Sequence, residues 1–299
     1  MSPSIRDIQE KKGKSEKIAV LTAYDLTSAK ICDEADIDIA LVGDSAGMVM
    51  MGYPNTISVT MEEMIVFCRS VVNGSKKTLI VADMPFGSYQ FDSTLAVANA
   101  VKLIKLGCHA VKIEGGLEVT HLIREMTDYG IPVMGHIGLK PQTTILWQGY
   151  KVQGKTCDSA IALYNQAIEI ERAGAFSLVL ELVTKEVSNE ISRSLTIPTI
   201  GIGSGSECDG QVLVYHDLLG LFDNFKPKFV KRYIESFSLN LEAVKRYRSE
   251  ISSGIFPGEE HSFSMPPEES IKFTNYLSAL GNSSSVEKNE KQKEHIRHA

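Results

Sequence analysis

The stretch DIALVGDSAGM, residues 38–48, joins an apolar run to an abrupt polar end. A short apolar run of this kind predicts a buried strand. The period-two alternation of a strand places Asp44 on the same face as Ala40 and Val42. Asp44 and Ser45 then set a carboxylate and a hydroxyl side by side where the strand stops. An Asp in such a place usually caps the next loop or helix, so the stretch by itself indicates only a strand end.

The same arrangement of a strand with a polar end, followed by an amphipathic helix that closes on Gly, recurs along the chain. Eight such units favour a closed (β/α)8 TIM barrel. A doubly wound open sheet is the alternative, but no GxGxxG motif follows the first strand. The predicted strands are 18–23, the start of 38–48, 78–85, 109–114, 131–136, 176–181, 197–203 and 211–215.

A C-terminal helical extension is predicted after the barrel. A long helix over 227–252 and an extended connector over 256–263 complete a catalytic domain of residues 1–263. A short helix near 268–280 begins the remainder, 264–299. The composition of residues 282–299, serine followed by mixed charges, predicts a disordered tail.

Composition and charge narrow the class of protein. The chain has 299 residues, of which 43% are hydrophobic, enough for one large core or two medium ones. No apolar run reaches the roughly 18 residues that a membrane helix needs. Residues 1–17 contain no apolar signal region, and the five cysteines lack CxxC spacing, which predicts reduced thiols and a cytoplasmic protein. A net charge of -6 provides no basic face for nucleic acid.

Polar side chains end five successive strands of the predicted barrel. They are Asp44, Asp83, Glu114, His136 and Glu181, at the ends of the second to the sixth strand. The carboxyl ends of barrel strands are where such enzymes build their active sites. The sequence therefore predicts that these five side chains meet at one mouth of the barrel.

A cation is expected among the carboxylates, because converging carboxylates repel each other and their pKa values rise. Lys112 lies two residues before Glu114 and two after Ala110, so all three are expected to face the barrel interior. Oxygen ligands with little Cys or His suit a hard cation such as Mg²⁺. A strand-end ion pair between Lys112 and Glu114 is an equal alternative for that pair taken alone.

The remaining polar signals each have a structural alternative. For His136, a core imidazole bonded to the backbone is favoured over metal ligation. Glu181 follows a very apolar run and is expected to be desolvated, as a general base requires, or else to cap a loop. The stretch GIGSGS, residues 201–206, is either a phosphate cradle or a tight turn packed on a ligand. No GxSxG or HExxH motif is present and Cys157 has no evident His partner, so hydrolase chemistry is not supported.

Taken in order, a series of motifs resembles the ketopantoate hydroxymethyltransferase family. The resemblance runs from about residue 5 to 263, and such an ordered series is highly specific. It departs from the family pattern at Ala46, at Ser204 and at Gln148-Gly149, where Gly-Gly is expected, and none of these is a carboxylate. The motifs are LTAYD (21–25), VGDS (42–45), GM (47–48), VADMPF (81–86), VKIEGG (111–116), VMGHIGL (133–139), GYKVQG (149–154), LE (180–181), IGIGSG (200–205), CDGQ (208–211) and PKFV (227–230).

The resemblance implies a Mg²⁺-dependent enzyme of pantothenate and coenzyme A synthesis. The implied reaction moves a hydroxymethyl group from 5,10-methylenetetrahydrofolate to 3-methyl-2-oxobutanoate and gives 2-dehydropantoate through a Mg²⁺-stabilised enolate. The implied partners are this keto acid, the folate and further copies of the chain, since family members are homo-oligomers and many are decamers. No nucleic acid or membrane partner is implied.

The resemblance also assigns roles to residues. It implies that Asp44 and Asp83 are metal ligands that also meet the substrate, and that Glu114 binds the metal directly or through water. It implies that Ser45 and Lys112 contact the keto acid and that Glu181 accepts the proton. His136 is implied as a supporting group at the substrate.

Two rival functions remain at this level. The first is a Mg²⁺-dependent lyase or mutase of another 2-oxo acid on the same kind of barrel, which would need a further acid or nucleophile on a lid loop. The second is a binding protein that has lost its activity. The presence of Lys112, Glu114 and Glu181 together argues against the second.

Overall fold

A computed structural model of the chain describes residues 3–143, 151–222 and 227–280. Eight parallel strands pair in chain order, and β8 pairs back onto β1 to close the barrel. The predicted (β/α)8 fold is confirmed. The first two positions of the GYKVQG motif and the predicted tail lie outside the described residues. The strands are β1 Ile18–Thr22, β2 Ile39–Val42, β3 Leu79–Asp83, β4 Ala110–Glu114, β5 Val133–Gly138, β6 Ser177–Glu181, β7 Thr199–Ile202 and β8 Gly210–Leu213.

The helices between the strands begin and end at local signals. Thr60 and Glu63 form a capping box in which each side chain accepts from the other's backbone N–H, and Gly107 closes another helix in the left-handed conformation. The helices are α1 Ile5–Gly13, α2 Leu26–Glu34, α3 Ala46–Val49, α4 Met61–Gly74, α5 Ser93–Leu106, α6 Thr120–Asp128, α7 Cys157–Arg172, α8 Lys185–Ser194, α9 Tyr215–Leu218, α10 Ser236–Ser252 and α11 267–280.

The hydrophobic core has two layers, because the strands of a parallel barrel are buried on both faces. One cluster fills the space between strands and helices. The other fills the barrel and includes Ile39, Leu41 and Val81. Ile8 of α1 belongs to the inner cluster and is completely buried, so α1 closes the N-terminal end of the barrel.

The predicted long helix over 227–252 is wrong at its start. The observed helix begins at Ser236. The backbone N–H groups of Tyr233, Ser236 and Phe237 donate to the carbonyls of residues 218–220 at 2.9 to 3.0 Å. Because those N–H groups bond to the end of α9 and the two residues after it, they are not available for bonds within a longer helix.

The chain divides into two compact units, Met1–Phe237 and Ser238–Ala299. The first unit contains the barrel. The second contains most of α10, a short 3₁₀ turn at Glu259–His261, and α11. The division into 1–263 and 264–299 stays a prediction. Among the described residues no helix is long and apolar enough to cross a membrane. All five cysteines are described and unpaired, and four of them are buried.

Asp33, near the C-terminal end of α2, ties that helix to the segment that leads into β3. Its carboxylate accepts hydrogen bonds from the backbone N–H groups of Lys76, Lys77 and Thr78 and from the hydroxyls of Ser75 and Thr78, at 2.5 to 3.1 Å. Burial alone would raise the pKa of Asp33, but the hydrogen bonds, Thr78 first, lower it from 3.8 to about 2. The ionised carboxylate is therefore part of the folded structure.

We expect Asp33→Asn to lower the free energy of unfolding by about 2–3 kcal/mol at pH 7, because an amide turns an N–H group toward backbone N–H donors. A depressed folded-state pKa stabilises the fold above the unfolded-state pKa, and this stabilisation is lost as the pH falls toward the folded-state value. The difference in the free energy of unfolding between wild type and variant should therefore narrow only below about pH 4. Urea unfolding at several pH values measures this difference.

The matched control is Asp128→Asn, at the exposed C-terminal end of α6. That change should alter the free energy of unfolding by less than about 0.5 kcal/mol. Equal effects of the two substitutions would contradict the structural role of Asp33.

Candidate active site

Inward-facing residues of β3 to β6 carry the predicted polar groups to one end of the barrel. Ala110 belongs to the inner cluster, so Lys112 and Glu114 also face inward, as predicted. Adjacent strands then align their polar residues, because Asp83 pairs in register with Lys112 and Glu114 pairs with His136. The apolar residues lie below these positions and the charged residues lie at the C-terminal mouth.

Asp44 also lies at this mouth, but the turn after β2 places it there and not the strand alternation that the sequence predicted. The inner face of β2 carries Ile39 and Leu41, so the alternation that groups Asp44 with Ala40 and Val42 would turn it toward the helices. The strand ends before Asp44, and the turn that follows brings its backbone N–H within 3.1 Å of Asp83 Oδ2. Asp44 is therefore 7% exposed and part of the site.

Lys112 supplies the one ammonium group among the buried carboxylates of the described site. Its Nζ donates to Asp83 Oδ1 at 2.5 Å, with both side chains buried. Burial alone would lower the pKa of Lys112, but Asp83 and then Asp44 hold it above its ordinary value. Lys112 therefore stays charged, and its partner is Asp83, not Glu114 as the strand-end ion-pair alternative supposed.

The remaining carboxylates carry more negative charge than Lys112 balances. Burial, followed by the charge of Asp83, raises the pKa of Asp44 to about 7. Burial, followed by the charge of Asp44, raises the pKa of Glu114 well above its ordinary value. The structure therefore favours either an additional proton or an additional cation at this mouth.

His136 lies between two carboxylates. Its Nε2 is 3.3 Å from Glu181 Oε2 and its Nδ1 is 3.7 Å from Glu114 Oε2. The predicted backbone hydrogen bond is wrong, because neither ring nitrogen has a well-directed hydrogen-bond partner. Burial, and then Lys112, lowers the pKa of His136, and the ring faces both carboxylates.

Glu181 keeps contact with solvent. Its side chain is 17% exposed, whereas those of Asp83 and Glu114 are 3–4% exposed. The sequence predicted a desolvated carboxylate after an apolar run. The run is buried, but Glu181 is the last residue of β6 and stands at the open end of the barrel.

Gln142, which the sequence analysis did not single out, connects the separate parts of the site. Its side-chain amide donates to Asp44 Oδ2 and to the carbonyl of Met84, both at 2.9 Å. Its backbone N–H donates to Glu114 Oε1 at 3.1 Å. The Tyr89 hydroxyl donates to Gln142 Oε1 at 2.8 Å. A lone Gln after a strand carries no sequence signal, so only the structure identifies it.

Ser45 is held from the side of β1. Its Oγ lies 2.8 Å from the hydroxyl of Tyr24, which is 1% exposed. Tyr24 belongs to the LTAYD motif, so its presence near the site could have been inferred from the motif, but its partner could not. Ser45 is therefore fixed next to Asp44 at the mouth.

The turn at residues 201–206 is held to the barrel through the side chain of Ser204. The Ser204 hydroxyl donates to the carbonyl of Leu180 at 2.7 Å and accepts from the N–H of Val183 at 3.0 Å. These bonds fasten the turn to the end of β6. The structure thus favours a supporting turn beside Glu181.

The donor set is compatible with a hard cation that retains other ligands. Within the described ranges, no group of three or more His, Cys, Asp or Glu side chains is arranged to hold a metal ion by itself. Mg²⁺ commonly takes one or two carboxylates and completes its shell with water and ligand oxygens. Asp44 and Asp83 are adjacent carboxylates in a mouth with excess negative charge, and they fit that description.

The fold places the chain among the (β/α)8 barrel proteins, and solved structures share it. Phosphonopyruvate hydrolase, solved with oxalate and Mg²⁺, has a TM-score of 0.56 at 10% identity, covering 94% of this chain and 98% of its own. A 2,3-dimethylmalate lyase of the PEP mutase/isocitrate lyase superfamily has a TM-score of 0.53 at 14% identity, with 96% and 99% covered. These likenesses show the fold.

The chain belongs to the ketopantoate hydroxymethyltransferase family, whose sequence model matches residues 3–259. The 3-methyl-2-oxobutanoate hydroxymethyltransferase of Nitrosopumilus maritimus is 53% identical over 269 residues, 90% of this chain and 96% of that protein. The protein of the same name from Thermotoga maritima is 52% identical over 260 residues, 87% and 96%. The resemblance inferred from the motifs is confirmed.

We expect Gly43→Ala to disturb the Ser45 end of the site. An added Cβ would lie 2.8 Å from Ser45 Oγ and 3.5 Å from Asp83 Oδ2, so the hydroxyl must move off its bond to Tyr24. Overpacking of this kind costs about 1–3 kcal/mol. Thermal unfolding and a crystal structure of the variant measure the two effects.

Gly13→Ala is the matched control, because an added Cβ there meets no atom within 4 Å. It should leave stability unchanged or raise it by up to about 1 kcal/mol. An alanine at position 43 that leaves Ser45 in place and stability unchanged would contradict the close-packing argument.

Proposed function

We propose that the chain transfers a hydroxymethyl group from 5,10-methylenetetrahydrofolate to 3-methyl-2-oxobutanoate and forms 2-dehydropantoate, in the synthesis of pantothenate. Family membership supports the overall reaction. The observation that carries the site assignment is the buried charge set of Asp44, Asp83, Lys112 and Glu114 at one barrel mouth. A homo-oligomeric state is proposed from the family resemblance. A cytoplasmic location is proposed from the sequence alone.

Asp44 and Asp83 would hold Mg²⁺, and Glu114 would contact it directly or through water. When bound, Mg²⁺ supplies Lewis-acid charge at the keto oxygen of the substrate. The carboxylates must be ionised to ligate a cation, and the proximity of a divalent cation would reverse the raised pKa of Asp44. The excess negative charge of the mouth supports this assignment.

Lys112 and Ser45 would bind the carboxylate of the keto acid. Nζ of Lys112 has three N–H donors, and among the described contacts its bond to Asp83 uses one. Ser45 directly follows Asp44, and its Oγ is held by Tyr24. One donor on β4 and one in the turn after β2 would orient the substrate with its C3 hydrogen accessible to a base.

Glu181 would be that base. It lies at the end of β6, keeps solvent contact for proton exchange, and has the His136 ring 3.3 Å away. Removal of the C3 proton by Glu181 leaves an electron pair at C3, which would form the new bond to the methylene carbon of the folate while the bonds of that carbon to N5 and N10 break. Water supplies the hydroxyl oxygen, and one proton from water and the proton taken by Glu181 go to the two nitrogens of the departing tetrahydrofolate. His136 would hold Glu181 in position and contact the substrate.

We expect the wild-type protein to exchange the C3 hydrogen of 3-methyl-2-oxobutanoate in deuterated buffer with Mg²⁺ present. Proton NMR should show loss of the C3 signal, and EDTA should reduce that loss by at least about tenfold. Folded, metal-loaded protein without exchange would sink the proposed enolisation and favour a lyase, a mutase or an inactive binder. Addition of 5,10-methylenetetrahydrofolate then tests the transfer itself.

Glu181→Gln should keep the binding of Mn²⁺ and of the keto acid but lose C3 exchange by about 10²–10⁴-fold, the usual contribution of a positioned base. The matched control is Glu190→Gln on the outer face of α8, where the carboxylate is 63% exposed. The control should exchange at the wild-type rate. Undiminished exchange in Glu181→Gln would remove Glu181 from the role of base.

A further inference from the structure

Gln142 lies where three strand ends meet. It follows β5 in a short 3₁₀ turn, Pro141–Thr143, and is 3% exposed. Its side chain bonds to Asp44 after β2 and to Met84 after β3, and its backbone bonds to Glu114 at the end of β4. One residue therefore contacts two of the three carboxylates proposed for the metal.

The orientation of the Gln142 amide is fixed by its neighbours. Its two N–H donors point to Asp44 Oδ2 and the Met84 carbonyl, and its Oε1 accepts from the Tyr89 hydroxyl at 2.8 Å and from Gln90 Nε2 at 3.1 Å. A rotated amide would set its oxygen against a carboxylate and a carbonyl. Both N–H donors are used and Oε1 faces two donors, one of which, the Tyr89 hydroxyl, is shared with the Glu114 carbonyl, so the side chain has one favourable placement.

This placement has a consequence for Asp44. The positive charge of Lys112 and the hydrogen bond from Gln142 both lower the pKa of Asp44, against the burial that raises it. With Oδ2 bound to the amide, the carboxylate is held at a fixed rotation, and within the described part of the chain no hydrogen bond occupies its other oxygen. The backbone N–H of Gln142 restrains Glu114 Oε1 in the same way.

We propose that Gln142 is a positioning residue of the proposed reaction: its side-chain amide sets the rotation of Asp44 while its backbone N–H sets Glu114, so that both carboxylates are arranged for a divalent cation. The inference rests on the proposed function only in placing the cation at Asp44. In this proposal Gln142 acts through Asp44 and Glu114 and not on the cation or the substrate directly. Tyr89 in turn holds Gln142, because its hydroxyl lies 2.8 Å from both Gln142 Oε1 and the Glu114 carbonyl.

The test is Gln142→Met, which keeps the length of the side chain and the backbone N–H but removes the amide. Loss of an outer partner of a metal ligand lowers metal affinity by about 10–100-fold. We expect Mn²⁺ alone, titrated into metal-free protein and followed by electron paramagnetic resonance, to bind about tenfold more weakly. The Mg²⁺ concentration for half-maximal C3 exchange should rise by a similar factor, whereas the rate at saturating Mg²⁺ should fall less than about threefold.

A buried-amide control separates positioning from general loss of packing. Asn99 of α5 is 4% exposed and donates from its side chain to the Ser88 carbonyl at 2.9 Å, and none of its described contacts is to a carboxylate. Asn99→Leu should lower the melting temperature while Mn²⁺ affinity stays within about twofold of wild type. Tyr89→Phe should weaken Mn²⁺ binding by about threefold, and its effect should not add to that of Gln142→Met.

Three results would overturn the inference. The first is a folded Gln142→Met variant whose Mn²⁺ affinity lies within twofold of wild type. If that variant does not fold, the second is a Tyr89→Phe variant whose Mn²⁺ affinity lies within twofold of wild type. A loss of more than tenfold in exchange at saturating Mg²⁺ is the third, since it would place Gln142 in the chemistry. Weaker Mn²⁺ binding in a protein whose wild type shows no exchange would support the inference and refute the proposed function. Absence of Mn²⁺ binding by wild type would refute both.

Discussion

The buried contact between Lys112 Nζ and Asp83 Oδ1 makes the charged mouth of this barrel possible. Removing a carboxylate from water is strongly unfavourable unless it is paired or protonated. Lys112 balances Asp83, and Asp44 donates its backbone N–H to the other oxygen of the same carboxylate. The rest of the site is organised around the negative charge that this single ammonium leaves unbalanced.

The barrel holds these groups together because its strands cannot shift independently. Each strand is bonded on both sides, and a one-residue slip would exchange the inner and outer faces. Side chains at Asp83, Lys112, Glu114 and His136 are thus placed by register with apolar residues beneath them. Supports such as the Asp33 bonds before β3 and the Ser204 turn after β7 fasten the strand ends outside the mouth.

The carboxylates of the site differ in their exposure to solvent. Asp44, Asp83 and Glu114 are shielded, while Glu181 stands at the open end with His136 between it and Glu114. Shielding favours cation binding, and solvent contact favours proton exchange. Gln142 joins the loops after β2, β3 and β5, so the shielded group behaves as one hydrogen-bonded unit rather than as separate carboxylates.

The sequence by itself determined the eight strand–helix units, their caps and the inward direction of Lys112 and Glu114, since these depend on local periodicity and on neighbouring residues. Only the tertiary structure decided how Asp44 turns inward after β2, where α10 begins, and which side chains Gln142 and Tyr24 contact. Those features depend on backbone hydrogen bonds and side-chain contacts between segments far apart in the chain. Periodicity along one strand carries no information about such partners.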